Sequence, residues 1–341
     1  MKLVKTVDAV GHVLCHDMTQ IIPGVTKDAR FRKGHVVTEA DIPVLLSMGK
    51  ETLFVWEKPE GMLHEDEAAE RMRALCQNDH MRATAPKEGK IELIADCDGL
   101  FLVDLERLRA VNALGDMMIA TRASGFMVKK GDKLCGTRVI PLVIKKDRME
   151  EARRLAGDAP IMRLVPVRPR KYGVVTTGNE VFYGRIEDTF TPVIEAKLRA
   201  FGCEMSEHVI LNDNHQKITA AVRDMLDKGC EMVFCSGGMS VDPDDKTPLA
   251  IRNTGANIVS YGAPVLPGAM FLVSYMPDGR PVCGLPDCVM YAKRTIFDLI
   301  LPYLVTDTPV TKEYLAGLGH GGLCLNCPVC HFPNCGFGKG V

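Results

Sequence analysis

The chain has 341 residues, of which 46% are hydrophobic and 25% charged, with a net charge of −1. That length suggests two domains with room for a real core, and the near-neutral balance gives no support for a polyanion-binding surface, so no nucleic-acid partner is expected. No run approaches the ~18 apolar residues of a membrane helix, since even 296–305 contains Asp298, and Asp8 interrupts the N-terminus before an apolar leader develops. The expectation is a cytoplasmic protein with no membrane partner, in a compartment where thiols stay reduced.

In chain order, residues 1–165 read as a strand-rich α+β region. Thr38 and Asp41 have the spacing of a capping box, followed by the apolar face of Ile42, Leu45 and Leu46. Gly49 stops that helix, and TLFVW (52–56) reads as a strand. Residues 58–90 form a charged excursion with one helix over roughly 64–77. Residues 91–147 supply the strand-like runs IELIA, LFLVDL, MMIAT and VIPLVI, separated by turn signals such as Lys130-Gly131-Asp132.

From 169 the pattern becomes regular alternation. KYGVVTT (171–177), CEMSEHVIL (203–211), MVFCS (232–236) and VCGLP (282–286) read as strands. Helices open at Thr191-Pro192 and Thr247-Pro248, run over 216–228 with Ile218, Ala221, Val222, Met225 and Leu226 on one face, and close the series at about 288–304. This implies an α/β domain over 166–308, with a doubly wound, mainly parallel sheet covered on both faces. Ligands of such sheets bind beyond the carboxyl ends of the strands.

Those ends carry Thr177-Gly178-Asn179-Glu180, then Asn212-Asp213-Asn214-His215, then Ser236-Gly237-Gly238-Met239-Ser240 running through Asp242, Asp244 and Asp245 to Thr247, and finally Gly284-Leu285-Pro286-Asp287-Cys288. Each alone has a structural explanation: Asp213 or Asn214 as a helix cap, and the glycine pair as a turn. Together they describe something else. Glycines let backbone N–H groups approach an anion, and the helix start at Thr247 adds positive dipole. Carboxylates beside a phosphate need a divalent cation between them, and Mg²⁺ is the usual one. No GxGxxG, Walker A or GxSxG pattern is present.

The run Ser236-Gly237-Gly238-x-Ser240, followed by Pro243-x-Asp245-x-Thr247-Pro248, resembles the signature of the molybdopterin-binding domain shared by molybdopterin adenylyltransferases, molybdopterin molybdenumtransferases and gephyrin. Thr177-Gly178-Asn179-Glu180 and Gly284-Leu285-Pro286 fit the same family in the same order. The resemblance implies a metal-assisted reaction at the terminal phosphate of molybdopterin. One branch adenylylates that phosphate with ATP and Mg²⁺; the other hydrolyses adenylylated molybdopterin while molybdate is inserted at the dithiolene. By motif position, Asp245 and Asp213 are the acidic residues that handle Mg²⁺ and the transferred phosphate. Thr177, Ser236, Gly237 and Gly238 would cradle phosphate or pterin, and Pro267-Gly268 falls where the family has a turn beside the ligand. Residues 9–18 and 32–55 resemble segments of molybdenumtransferases, which favours that branch over the adenylyltransferase. Asp287 stands where the family commonly has glycine, and Asp242 replaces a small residue; either repels a phosphate or recruits a further cation.

Of the 13 cysteines, four crowd into the tail 319–341, where Cys324, Cys327, Cys330 and Cys335 follow C-x2-C-x2-C-x4-C. Structural zinc sites pair knuckles across a longer span; the overlapping run is nearer an iron–sulfur ligand set, although its last spacing differs from the ferredoxin pattern. Zinc, an iron–sulfur cluster, and molybdenum or copper in transit all remain open at this point. The whole reading is a molybdenumtransferase-like enzyme of molybdenum-cofactor biosynthesis. Its rival is a non-catalytic molybdopterin carrier, insertion chaperone or sensor that meets cofactor-assembly proteins or an apo-molybdoenzyme. The resemblance also implies a homo-oligomer.

Overall fold

The computed structural model describes residues 2–340 apart from 56–59, 241 and 244, and apart from the side chain of Thr26. Trp56 of the expected TLFVW strand and Asp244 of the carboxylate loop therefore lie outside the described residues. The chain forms two compact units: Met1–Asp96, Val103–Arg122 and Lys130–Arg163 make the first, and Cys97–Leu102, Ala123–Lys129 and Leu164–Val341 the second. The single boundary expected at 165/166 misses the two short excursions. They go to the second unit because Leu100 and Phe126 pack into its core.

In the first unit an antiparallel sheet takes the strands Met81–Ala83, Lys90–Ala95, Lys133–Val139 and Met117–Thr121 in that spatial order. VIPLVI does not make one strand. Val139 ends a sheet strand, and Val143–Lys145 pairs separately with Met62–His64. The expected excursion helix is present as Glu65–Cys76, capped by His64, whose ring accepts the Asp66 N–H while Glu67 takes the His64 N–H. The expected box at Thr38 and Asp41 is only half formed. Asp41 accepts from the Thr38 N–H at 2.8 Å and the Thr38 hydroxyl at 2.7 Å, so that hydroxyl is spent on the carboxylate and the helix begins at Asp41.

The second unit is numbered from here. Its strands are β1 Lys171–Thr177, β2 Glu204–Leu211, β3 Met232–Ser236, β4 Asn257–Tyr261, β5 Leu272–Tyr275 and β6 Pro281–Leu285. Its helices are α1 Phe190–Arg199, α2 His215–Asp227, α3 Thr247–Asn253 and α4 Ile296–Leu304. The strands lie in the order β2-β1-β3-β6-β5-β4. Pairs β1/β2, β1/β3 and β3/β6 are parallel, while β5 and β4 add antiparallel at one edge. The sheet is thus mainly parallel. Tyr172, Val174, Phe234 and Cys283 share one core with Ile194 and Leu198 of α1 and Phe297 and Ile300 of α4. Val175, Val233, Cys235 and Val282 share the other with Ile218, Val222 and Met225 of α2 and Ile251 of α3. Alternate residues of each strand serve opposite faces, so a strand covered on both sides must be apolar throughout, as MVFCS is.

Two helix starts differ from expectation. α1 begins at Phe190, because the Asp188 carboxylate accepts the Phe190 and Thr191 N–H groups at 2.9 and 3.1 Å and so caps the helix ahead of Thr191. α4 begins only at Ile296. Thr295 and Asp298 close a reciprocal capping box there, and Asp287–Val289 forms a separate 3₁₀ turn. The tail is no detached appendage: Phe337 is buried in the α1/α4 core, with Cys324, Phe332 and Cys335 packed against it.

Candidate functional site

Strands β1 and β3 are parallel neighbours, so their carboxyl ends bring Thr177 and Ser236 together. The Thr177 hydroxyl donates to the Ser236 carbonyl at 3.2 Å and lies 3.2 Å from the Thr247 hydroxyl, which donates to the Gly237 carbonyl at 2.8 Å. The Thr247 N–H closes the loop on Gly238 at 3.2 Å. Gly237 and Gly238 both have positive φ, +86° and +58°. A Cβ on Gly237 would overlap the Thr177 carbonyl, so only glycine lets these two loops lie against each other. Thr177, Ser236 and Thr247 are all buried, and among the described residues the Ser236 hydroxyl has no hydrogen-bond partner. A buried hydroxyl left unpaired costs about 1–3 kcal/mol. α3 has only seven residues, so the dipole expected at Thr247 is weak and anion donors must come mainly from the loops.

The second loop is tied to the first. The Asp213 carboxylate accepts the Asn179 N–H at 3.0 Å, whereas Asn214 caps α2 through the Gln216 and Lys217 N–H groups. Asp213 is therefore not the helix cap. In the third loop the Asp245 carboxylate accepts the Asp242 N–H at 3.0 Å and the Asp245 N–H returns to the Asp242 carbonyl, a closed turn that leaves Asp242 itself exposed. Gly284, Leu285 and Pro286 are buried and lead into Asp287. The Asp287 side chain is exposed, yet the surrounding walls withhold water, and Asp245 and then Glu180 add negative potential, so its carboxyl lies above the usual range. A cavity of about 180 Å³ opens here, with Ser240, Ala269, Met270, Pro286 and Asp287 in its lining.

Sequence reasoning missed two supports of these loops. Tyr261, at the end of β4, donates its hydroxyl to the Met239 carbonyl at 2.7 Å and lies 3.3 Å from that of Ser240, holding the glycine loop from the edge of the sheet. Nothing local in the sequence announces that contact, because it depends on where the antiparallel edge strand falls. Behind Thr177, Asp188 accepts from the Thr176 and Thr191 hydroxyls at 3.0 and 2.6 Å, with the His208 ring 3.1 Å from both threonines. Burial would raise the Asp188 carboxyl; the hydrogen bonds from Thr191, Thr176 and Phe190 outweigh it and hold it low. The capping pattern D-x-x-T ahead of Pro192 was the available signal.

Pro267 and Gly268 do not enter the hydrogen-bonded loop cluster. The Pro267 carbonyl accepts the Ile296 N–H at 3.2 Å, Gly268 packs on Ile296, and Pro267 lines a different cavity of about 260 Å³. Cys324, Cys327, Cys330 and Cys335 all line that cavity, as do Lys293 and Arg294. The Cys330 thiol is held below its usual range by the Phe332 N–H, against slight desolvation, with further help from Arg294 and Lys293. Among the described residues, the only group of three or more potential metal ligands within 4.8 Å of one another is His64, Glu65 and Asp66 of the first unit. The Lys33 ammonium already sits there, 3.1 Å from His64 and 2.7 Å from Asp66.

A family model described as "Probable molybdopterin binding domain" matches residues 173–306, and a model of a domain of unknown function matches residues 3–57. A CinA-like protein of Mycobacterium avium is 36% identical over 96 residues, which is 28% of this chain and 22% of that protein. A CinA-like protein of Mycobacterium tuberculosis is 36% identical over 88 residues, 26% of this chain and 20% of that protein. The chain thus spans about a fifth of the length of these curated relatives. Among solved structures, CinA of Thermoplasma acidophilum, of unknown function, aligns at TM-score 0.35 and 18% identity over 40% of this chain and 99% of that one. The molybdopterin biosynthesis enzyme MoaB of Thermus thermophilus aligns at TM-score 0.33 and 18% identity over 42% and 98%. The four motifs at the strand ends and the family match fall on the same stretch: residues 173–306 belong to the molybdopterin-binding domain family.

Proposed function

We propose that the loops after β1, β2, β3 and β6 bind molybdopterin or its adenylylated form, and that the chain acts in molybdenum-cofactor biosynthesis as a molybdopterin molybdenumtransferase-like enzyme. The observation that carries the reading is the buried, partnerless Ser236 hydroxyl beside the Gly237-Gly238 turn. It offers a donor aimed at no protein acceptor, where the backbone can come close to an anion. Thr177 and Thr247 hold that cradle in shape.

Asp245 and Asp213 are the proposed Mg²⁺ ligands. Hard carboxylate oxygens suit that ion, and the mutual repulsion felt at Asp287 from Asp245 and Glu180 is what a divalent cation relieves. Bound there, Mg²⁺ would neutralise phosphate charge. In the proposed reaction, water adds to the phosphorus of the phosphoanhydride, the bond to the AMP oxygen breaks, and AMP leaves as the molybdopterin phosphate is restored. Asp245 orients the attacking water, and the cradle fixes the phosphate against it. Molybdate is the second substrate, taken up by the dithiolene sulfurs.

The test is AMP release from adenylylated molybdopterin in the presence of Mg²⁺ and molybdate. Asp245→Asn should reduce the rate at least a hundredfold with the melting temperature unchanged. Wild-type turnover in that variant would refute the assignment. Asp287 supports a second reading, a pterin carrier without turnover: its carboxyl adds negative charge beside Asp245. Tight pterin binding without AMP release is the mark of that reading.

A further inference from the structure

The four tail cysteines are not a frayed terminus. The segment is tied to the rest of the second unit at its start, where the Cys324 N–H donates to the Leu266 carbonyl at 2.8 Å and the Leu266 N–H to Gly322 at 2.9 Å, and its end folds back on its beginning, with the Gly338 N–H donating to Gly321 at 3.0 Å and Phe337 buried in the core. Between these ties, Phe332 stacks against Phe337 and Phe126, with the Arg294 guanidinium 4.9 Å from its ring centre. The Lys293 ammonium reaches the Pro328 carbonyl at 2.9 Å and the Cys327 carbonyl at 3.4 Å. The result is one cavity of about 260 Å³ into which all four cysteines face.

The spacing of the sulfurs separates the candidate occupants. In a tetrahedral zinc site, Zn–S bonds of about 2.3 Å hold the sulfurs about 3.8 Å apart. Here, among the described residues, no three of these sulfurs lie within 4.8 Å of one another. They surround a void in place of converging on a point. Four thiolates spaced around a void match a bulkier inorganic core, whose iron and sulfide atoms stand between the cysteines. Four thiolates and bridging sulfides also make an anionic assembly, and two cations, Lys293 and Arg294, line the same cavity. Buried Phe337 and half-buried Phe332 give one side of the cavity an apolar wall of the kind that shields such a centre from solvent. None of the four thiols is tied up in a disulfide.

We propose that the C-terminal tail binds an iron–sulfur cluster through Cys324, Cys327, Cys330 and Cys335. The site stands on the tail alone and holds whether or not the loops of the sheet take a pterin.

The full chain, purified without oxygen and incubated with ferric iron and sulfide under a thiol reductant that supplies any electrons the cluster needs, tests this. The expected result is a brown protein with iron and acid-labile sulfide in equal, stoichiometric amounts, and a paramagnetic signal on one-electron reduction. Cys327 and Cys330 are exposed, so the double variant Cys327→Ala, Cys330→Ala should fold as the parent does, with an unchanged melting temperature of the apo form, and lose at least nine-tenths of the bound iron. Cys97→Ala should retain it. A colourless protein holding one zinc and no labile sulfide would overturn the proposal. So would iron retained by the double variant, or failure of the parent to take up iron and sulfide at all.

Discussion

Ser236 and Glu65 both stand in surroundings at odds with their chemistry. Ser236 is wholly buried with an unpaired hydroxyl among the described residues. If that hydroxyl serves only a ligand, Ser236→Ala should leave the apo protein equally stable or more stable by about 1 kcal/mol, as read from denaturant midpoints. Glu65 is buried at the start of its helix, and burial, then the neighbouring Asp66, push its carboxyl up to about 7. Above about 4.5 the unfolded chain has lost this proton while the folded chain keeps it, so stability falls as pH rises from 4.5 to 7. Glu65→Gln removes that slope, giving a protein more stable than the parent at pH 8 by on the order of 2 kcal/mol and similar to it at pH 4. A parent and variant with parallel pH profiles would refute this.

At the scale of elements, the central strands were legible because parallel strands covered on both faces must be continuous apolar runs, as KYGVVTT and MVFCS are. The helix α2 was legible because its apolar residues recur at helical spacing. The edge strands β4 and β5 lack that signature. NIVSY is half exposed and carries polar residues, and its pairing runs from Asn257 with Tyr275 to Tyr261 with Leu272, across a loop with no strand signal of its own. The start of α4 was misplaced because 287–295 is apolar enough to pass for helix, while the decisive feature is the Thr295/Asp298 box. Of the candidate site, Thr177, Ser236, Gly237, Gly238 and Thr247 are legible by motif and Asp188 by its local capping pattern, whereas the support from Tyr261 is not, since tertiary register places it. Asp298 accepts from the Thr295 N–H at 2.9 Å, from Arg294 at 2.8 Å and from Lys197 at 2.6 Å, with its side chain 5% exposed. Asp298→Ala loses a cap and strands two cations. It should lower stability by about 2–3 kcal/mol, measured by urea unfolding.

For the whole molecule, the division into two units is not a division of the sequence into two halves. Residues 97–102 and 123–129 leave the first unit to join the second, and the Phe126–Val128 strand pairs there with Gly99–Phe101. A fragment starting at Leu164 would keep every strand of β1–β6 but lose Leu100 and Phe126 from the α1/α4 core. It is expected to bind a hydrophobic dye and to melt well below the second transition of the full chain. A fragment that melts like the parent would show these two strands to be dispensable.

Binding of a pterin phosphate by the strand-end loops is measured by anaerobic titration of molybdopterin into the wild-type protein and Ser236→Ala. The wild type should bind one pterin per chain saturably, and the variant about tenfold more weakly, or by about 1.4 kcal/mol, without loss of stability. No binding to the wild type, or equal affinity in both proteins, would contradict it.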